Sequence, residues 1–91
     1  MKMFETEDGR IFMKNDAGNV MAEITFPETS PGFFVIDHTF VDGSLRGQGI
    51  ASRLVQSAVD EITSRGGKIG ATCSYAVKWL SEHGYKNAAE V

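Results

Sequence analysis

The sequence predicts an α+β domain of mixed α/β character. Antiparallel N-terminal strands lead to a central strand, a glycine-rich turn and a helix, then to a parallel fifth strand and a C-terminal helix. Three observations predict this. Asp8-Gly9 lies between two short strand-like runs, Val20 to Phe26 alternates apolar with polar residues, and two stretches of helical period fill the second half of the chain.

In the first third, Phe4-Glu-Thr-Glu7 and Arg10-Ile-Phe-Met-Lys14 flank Asp8-Gly9, so they are expected to pair as a hairpin. Asn15-Asp-Ala-Gly-Asn19 supplies a second turn. Val20, Ala22, Ile24 and Phe26 share one face, opposite Met21, Glu23 and Thr25, which marks a half-buried strand. Pro27 to Gly32 breaks the pattern. Phe33 to Val41 carries apolar residues on both faces: Phe34, Ile36 and Phe40 with His38 on one, and Phe33, Val35 and Val41 with Asp37 and Thr39 on the other. A central strand covered on both sides is expected there.

From Gln48 to Ser64 the apolar positions Ile50, Ala51, Leu54, Val55, Ala58, Val59 and Ile62 recur at steps of three and four, the buried face of a helix. Gly66-Gly67 ends it. Lys68 to Thr72 reads as the fifth strand, returning parallel to the central one. Ser74 can cap a second helix with a buried stripe of Ala76, Trp79, Leu80 and His83. Gly84 stops that helix, and Tyr85 can pack back under it.

Ninety-one residues suffice for a single compact domain, 1–91, and 42% hydrophobic against 23% charged residues suits an ordinary soluble globular chain. Nine basic and twelve acidic residues give a net charge of -3, which excludes non-specific nucleic-acid binding through a broad cationic surface. An anion site must therefore be local. The lone cysteine, Cys73, excludes an internal disulfide framework and fits a reducing compartment. No apolar run approaches the roughly 18 residues of a membrane span, and the polar Met1 to Asp8 is no signal peptide. The expectation is a cytoplasmic protein with neither nucleic-acid nor membrane partner, and with no metal site.

The functional signal is Val41-Asp-Gly-Ser-Leu-Arg-Gly-Gln-Gly-Ile-Ala-Ser52, a glycine-rich turn directly before a helix. The first N–H groups of a helix have no internal acceptor and carry the positive end of its dipole, and glycine lets an anion approach the backbone. Arg46 and Arg53 add charge nearby, although a solvated helix face also accounts for Arg53. A plain tight connection made by Gly43, Gly47 and Gly49 is the competing reading. A P-loop is excluded because no lysine occurs between Lys14 and Lys68, and Gly47-x-Gly49-x-x-Ser52 lacks the third glycine of a dinucleotide fingerprint. Register favours a ligand, since the turn begins where a buried strand ends, at the carboxyl end where open mixed sheets bind ligands.

On these residues the chain resembles the GNAT superfamily of acyl-coenzyme A N-acyltransferases. The family's central motif runs Val-x-Pro-x-x-Arg/Gln-x-x-Gly-x-Gly/Ala, and Val41, Arg46, Gly49 and Ala51 fall in register, with Gly43 in place of proline. A second motif runs Asn-x-x-Ala-x-x-x-Tyr-x-x-x-Gly-Phe, matched by Ala76, Gly84 and Tyr85. Together they span Val41 to Tyr85, about half the chain. The length, together with His38-Thr39-x-Val41, Gly47-Gln-Gly-Ile-Ala-Ser52-x-Leu54 and Cys73, is similar to the minimal group of that superfamily, whose members are about this short.

The resemblance implies acetyl-coenzyme A as co-substrate and transfer of its acetyl group to a small-molecule or peptide amine. It also implies a cofactor site made of Thr39, Phe40, Val41, Arg46, Gly47, Gln48, Gly49, Ile50, Ala51 and Ser52. Backbone N–H groups from Gly47 to Ala51 would hold the pyrophosphate, and the Thr39–Val41 edge would pair with the pantetheine amides as with an extended peptide. A backbone N–H near Val41 is placed to serve the developing oxyanion. Catalysis falls to Cys73 and His38. The family's common tyrosine acid is Leu80 here, and its asparagine is Cys73.

Cys73, at a strand end just before a helix, suits an acyl-accepting nucleophile, a proton-handling group or a small buried hydrophobe. His38 suits either a proton acceptor or a structural histidine, and His83 is accounted for by the helix C-terminus. Tyr75 and Trp79 read as core or rim, with Tyr75 as a reserve proton donor. Asp37 and Asp42 are among the acidic residues that can attract an amine. A non-catalytic acyl-coenzyme A-binding module, acting as a sensor or partner subunit, is the alternative function, and the acting unit is a monomer or a homodimer.

Overall fold

The computed structural model describes residues 4–89. Residues 1–3 and 90–91, which the sequence reading places in the same domain, lie outside the described residues. Strands β1 (Glu5–Glu7) and β2 (Arg10–Lys14) form the expected hairpin, with Gly9 at φ 72° in its turn. In the loop to β3 (Val20–Thr25), Asn15 Oδ1 accepts from the N–H groups of Ala17 and Asn19. The alternation of β3 appears as expected: Ala22, Ile24 and then Phe26 are fully buried.

Two findings depart from the sequence reading. The break at Pro27 to Gly32 holds a short strand, β4 (Glu28–Ser30), which pairs with β5 (Phe33–Ile36). The intervening turn is closed by the Glu28 carboxylate accepting the Gly32 N–H at 2.8 Å. The single central strand expected over Phe33 to Val41 is instead two strands, β5 and β6 (His38–Val41), which belong to different sheets.

The split has a local cause. Asp37 donates its N–H to the Thr25 carbonyl at 3.2 Å and accepts the Thr25 hydroxyl, while His38 is already the register partner of Thr25. Two residues thus face one, which is a bulge, and the alternation slips by a residue. Phe34 and Ile36 point into the core, and beyond the bulge Thr39 and Val41 do so, opposite Ile24 and Ala22. His38 and Phe40 turn to the outer face, where Phe40 is 40% exposed. Cover on both faces therefore holds for β5 and fails for β6.

A 3₁₀ turn (Gly43–Leu45) follows, then α1 (Ile50–Ser64), β7 (Lys68–Ala71) and α2 (Ser74–Glu82). The sheets run β1-β2-β3-β6, wholly antiparallel, and β4-β5-β7, in which β5 and β7 are parallel. The predicted parallel return is thus present, as the seventh strand. Helix α1 makes the crossover and packs on β2, β3, β6 and β7, joining the two sheets through Leu54, Val55, Ala58, Val59 and Ile62. Ala76, Trp79 and Leu80 of α2 close the core, whereas His83 is exposed and not on the buried stripe, because the helix ends there.

The free side of β7 is covered by the chain's last described turn. Asn87 accepts the Ala71 N–H at 2.8 Å and donates to the Ala71 carbonyl at 3.0 Å, and Ala88 N–H reaches the Ile69 carbonyl at 2.9 Å. One carboxamide stands in for a neighbouring strand at this edge.

Candidate functional site

The glycine-rich segment is built stepwise from the end of β6. Asp42 caps the 3₁₀ turn, its carboxylate accepting the Ser44 N–H at 3.0 Å and the Ser44 hydroxyl at 2.6 Å; these bonds hold it below the usual carboxylate range. Arg46 is extended, and Gly47 and Gly49 then take φ of 82° and 72°, conformations that suit glycine. Gly49 is the N-cap of α1, and no side chain caps the helix. The first intrahelical bond runs from Arg53 N–H to Gly49 carbonyl, so the N–H groups of Ile50, Ala51 and Ser52 meet no acceptor among the described residues. No acidic side chain stands in the first turn.

That surface faces open space, since a Cβ built on Gly47 or Gly49 would meet nothing within 4 Å. It borders a groove of about 180 Å³ whose walls are Val41, Leu45, Arg46, Gly47, Gly49 to Ser52 and the ring of Tyr75. Most of the cofactor-binding residues expected from sequence come together here. Gln48 is exposed in the turn and outside the lining, Phe40 faces the outer side of the sheet, and Thr39 lies deeper, against Cys73. Ser52 has a packing role as well, its Oγ accepting the Trp79 indole N–H at 2.9 Å and tying α2 to the start of α1. Larger grooves of about 530 and 470 Å³ share Lys68 and Ala88 at the other end of β7, away from the turn.

Between β6 and β7 the sheets are not paired. Asp42 N–H bonds Met21 across to β3, and by alternation the N–H groups of Val41 and Thr39 point the other way, into the gap. Cys73 stands at the far side of that gap as the N-cap of α2, its own N–H held by the Ile36 carbonyl at 3.3 Å. Its Sγ lies 3.2 Å from the Thr39 hydroxyl. Burial pushes the thiol up, but hydrogen bonds from the Thr39 hydroxyl and from the Ala76, Tyr75 and Thr39 N–H groups outweigh it, and the net shift is downward.

The structure does not bring His38 to Cys73. Because Thr39 faces the sulfur, its neighbour His38 points to the opposite face, where Nε2 lies 3.6 Å from a Glu23 carboxylate that also pairs with Arg10. Asp37 and Asp42 are engaged by Thr25 and Ser44. Tyr75, weighed in the sequence only as core, rim or reserve, lines the groove and is 41% exposed. Its signal was the spacing that puts Ala76 and Leu80 inward and so turns position 75 away from the core. Leu80 is fully buried, so no side chain on the position of the common tyrosine faces the site. His83 stacks on Trp79 with ring centroids 3.8 Å apart.

A strand edge left unpaired beside a glycine-lined helix start is the feature to set against known proteins. A protein from Staphylococcus aureus assigned as a GCN5-like N-acetyltransferase superposes with a TM-score of 0.76 at 27% identity, over 96% of this chain and 90% of its own. Proteins assigned as acetyltransferases from Agrobacterium tumefaciens and Pyrococcus furiosus give TM-scores of 0.66 and 0.65 at 28% and 27% identity. They are larger: this chain is covered over 88% and 96%, but spans 60% and 64% of theirs. No curated protein matches in sequence. The profile of the GCN5-related N-acetyl-transferase family matches residues 10–88, and the chain belongs to that family. The expected GNAT fold is therefore the observed one, and acetyl transfer is the activity supported at family level, where the donor is generally acetyl-coenzyme A. Among the described residues no helix is long and apolar enough to cross a membrane.

Proposed function

We propose that the protein is an acetyl-coenzyme A-dependent N-acetyltransferase acting on a small-molecule or peptide amine. One observation carries the reading: the open glycine-lined groove and the unpaired β6 edge lead to a sulfur held by hydrogen-bond donors. The residues fit the co-substrate. Gly47 and Gly49 leave room for a phosphate against the free N–H groups of α1, Arg46 supplies charge, and the Val41 N–H, turned into the gap, suits an amide of pantetheine, while the Thr39 N–H serves the Cys73 sulfur.

In the route through Cys73, the thiolate adds to the thioester carbonyl and the coenzyme leaves as its thiolate. The acceptor amine then attacks the acyl-cysteine, the carbon–sulfur bond breaks to return the Cys73 thiolate, and the amine's proton ends on the coenzyme thiolate. In direct transfer the amine attacks the thioester itself, and Cys73 handles the proton. His38, on the outer face, serves the amine in either route only through water or rearrangement, given its orientation. The reaction is placed in a reducing, cytoplasmic setting that keeps Cys73 a thiol, with a monomer or homodimer as the acting unit.

The second reading, a module that binds acyl-coenzyme A without turnover, is favoured by the burial of Leu80 where a proton donor would stand. Incubation with acetyl-coenzyme A, followed by intact mass and coenzyme A titration, separates the two. An acetyl adduct that disappears in Cys73→Ala supports covalent transfer, and thiol release with an amine but no adduct supports direct transfer. Binding without thiol release across an amine panel leaves the module. Absence of binding refutes both.

A further inference from the structure

The contact between Thr39 and Cys73 joins two chain segments 34 residues apart, and it crosses the one place where the two sheets part. It exists because of the bulge at Asp37. Without that extra residue, the side chain in step with Phe34 and Ile36 would be His38; with it, Thr39 takes the inward position opposite Ile24. Cys73 is fixed from its own side, as the N-cap of α2, with its N–H on the Ile36 carbonyl and its carbonyl accepting the Val77 N–H at 2.9 Å.

A hydroxyl beside a neutral thiol can donate or accept, and the bond is weak in either sense. Beside a thiolate only the hydroxyl can donate, and the bond becomes charge-assisted. The contact therefore favours the ionised sulfur and fixes where it points. The other groups that reach Sγ are neutral as well, being the N–H groups of Thr39, Tyr75 and Ala76. All four donors converge from β6 and from the first turn of α2.

We propose that Thr39 is a positioning residue for Cys73, its hydroxyl reaching across the gap between the sheets to orient the sulfur and hydrogen-bond its reactive form. The inference rests on the reading that Cys73 handles the acyl group, and it assigns to Thr39 a side-chain role separate from its backbone edge. Thr39→Val deletes the hydroxyl at nearly constant shape, and Thr39→Ser restores it.

Cys73 is the only cysteine, so its alkylation by iodoacetamide reports on this sulfur alone. In Thr39→Val the pH midpoint of alkylation moves upward. The rate at pH 7 falls about fourfold, because the smaller thiolate fraction is offset in part by higher intrinsic nucleophilicity. Thr39→Ser returns both toward the wild-type values. Circular dichroism establishes that each variant is folded, and Thr39→Ala replaces the valine variant if that one is not. An unchanged pH profile in a folded valine or alanine variant overturns the proposal, as does a serine variant that behaves like valine. Failure of the parent reading looks different: the wild type then takes no acetyl group on Cys73 while the alkylation midpoint still shifts in Thr39→Val.

Discussion

Gly49 offers a way to separate the backbone cost of the glycine turn from its use. Its φ of 72° places any L side chain in the left-handed region, which costs about 1–2 kcal/mol, and a Cβ there would meet nothing within 4 Å. Gly49→Ala should therefore be destabilised by that backbone strain alone, a fall in thermal midpoint of roughly 5–15 °C for a domain of this size. Gly66 is a matched control. It has φ 70°, equally open space, and a position beyond the other end of α1, roughly 25 Å away at about 1.5 Å per residue.

The two alanine variants should lose similar stability, but only Gly49→Ala should lose coenzyme A. Its new methyl group occupies the space through which a phosphate reaches the first N–H groups of the helix. Loss of one hydrogen bond to a charged group, about 1.5–3 kcal/mol, weakens Kd roughly 10- to 100-fold. Thermal unfolding followed by circular dichroism gives the first quantity and titration calorimetry at 25 °C the second. A folded Gly49→Ala protein with wild-type affinity, or an equal loss of affinity in Gly66→Ala, would refute the placement of the phosphate.

Ser52→Ala leaves the Trp79 indole N–H without its acceptor and should cost about 1 kcal/mol in urea unfolding, with a shift in the emission of the chain's single tryptophan. Asn87→Ala strips both partners from Ala71 on the free side of β7 and should cost about 1–3 kcal/mol by the same measurement, with Asn87→Asp, which keeps an acceptor but loses the donor, falling between. For Cys73, a folded pKa held below the unfolded value near 9.0 means that its contribution is fully present above that value and is lost as pH falls through the folded pKa. The gap in thermal midpoint between wild type and Cys73→Ala should therefore widen as pH rises from neutral toward 9, and a gap independent of pH would contradict the downward shift.

What could be read in the sequence was what short-range chemistry decides. Asp8-Gly9 turns the hairpin, the period-two pattern of Val20 to Phe26 faces the core, and the stripes of the two helices are buried at nearly all the expected positions. The exceptions depend on partners distant along the chain. β4 is three exposed residues with no apolar alternation, and only its pairing with β5 makes it a strand. The slip at Asp37 requires Thr25, twelve residues earlier, and no local pattern distinguishes a bulged strand from a straight one in Phe33 to Val41. The face occupied by His38 was misread for that reason. The groove followed from the glycine motif, but the meeting of Thr39 with Cys73 depends on how the two sheets diverge, which no spacing encodes.

The domain's sheet system is one strand short. Beyond the bulge, β6 has a strand neighbour on its β3 side alone among the described residues; the Thr39 N–H turns to the Cys73 sulfur, and the Val41 N–H meets no strand there. An extended ligand laid along that edge becomes part of the fold, so occupancy and unfolding are linked: at a concentration of 100 Kd it adds about 2.7 kcal/mol, a large share of the 5–15 kcal/mol typical of a whole domain. Amide exchange at Val41 would slow on binding, while the outward hairpin would be unchanged. In a cell, the lifetime of the folded protein would then follow the supply of its ligand, and starvation for that ligand would lower the amount of protein as well as the rate of any reaction it carries out.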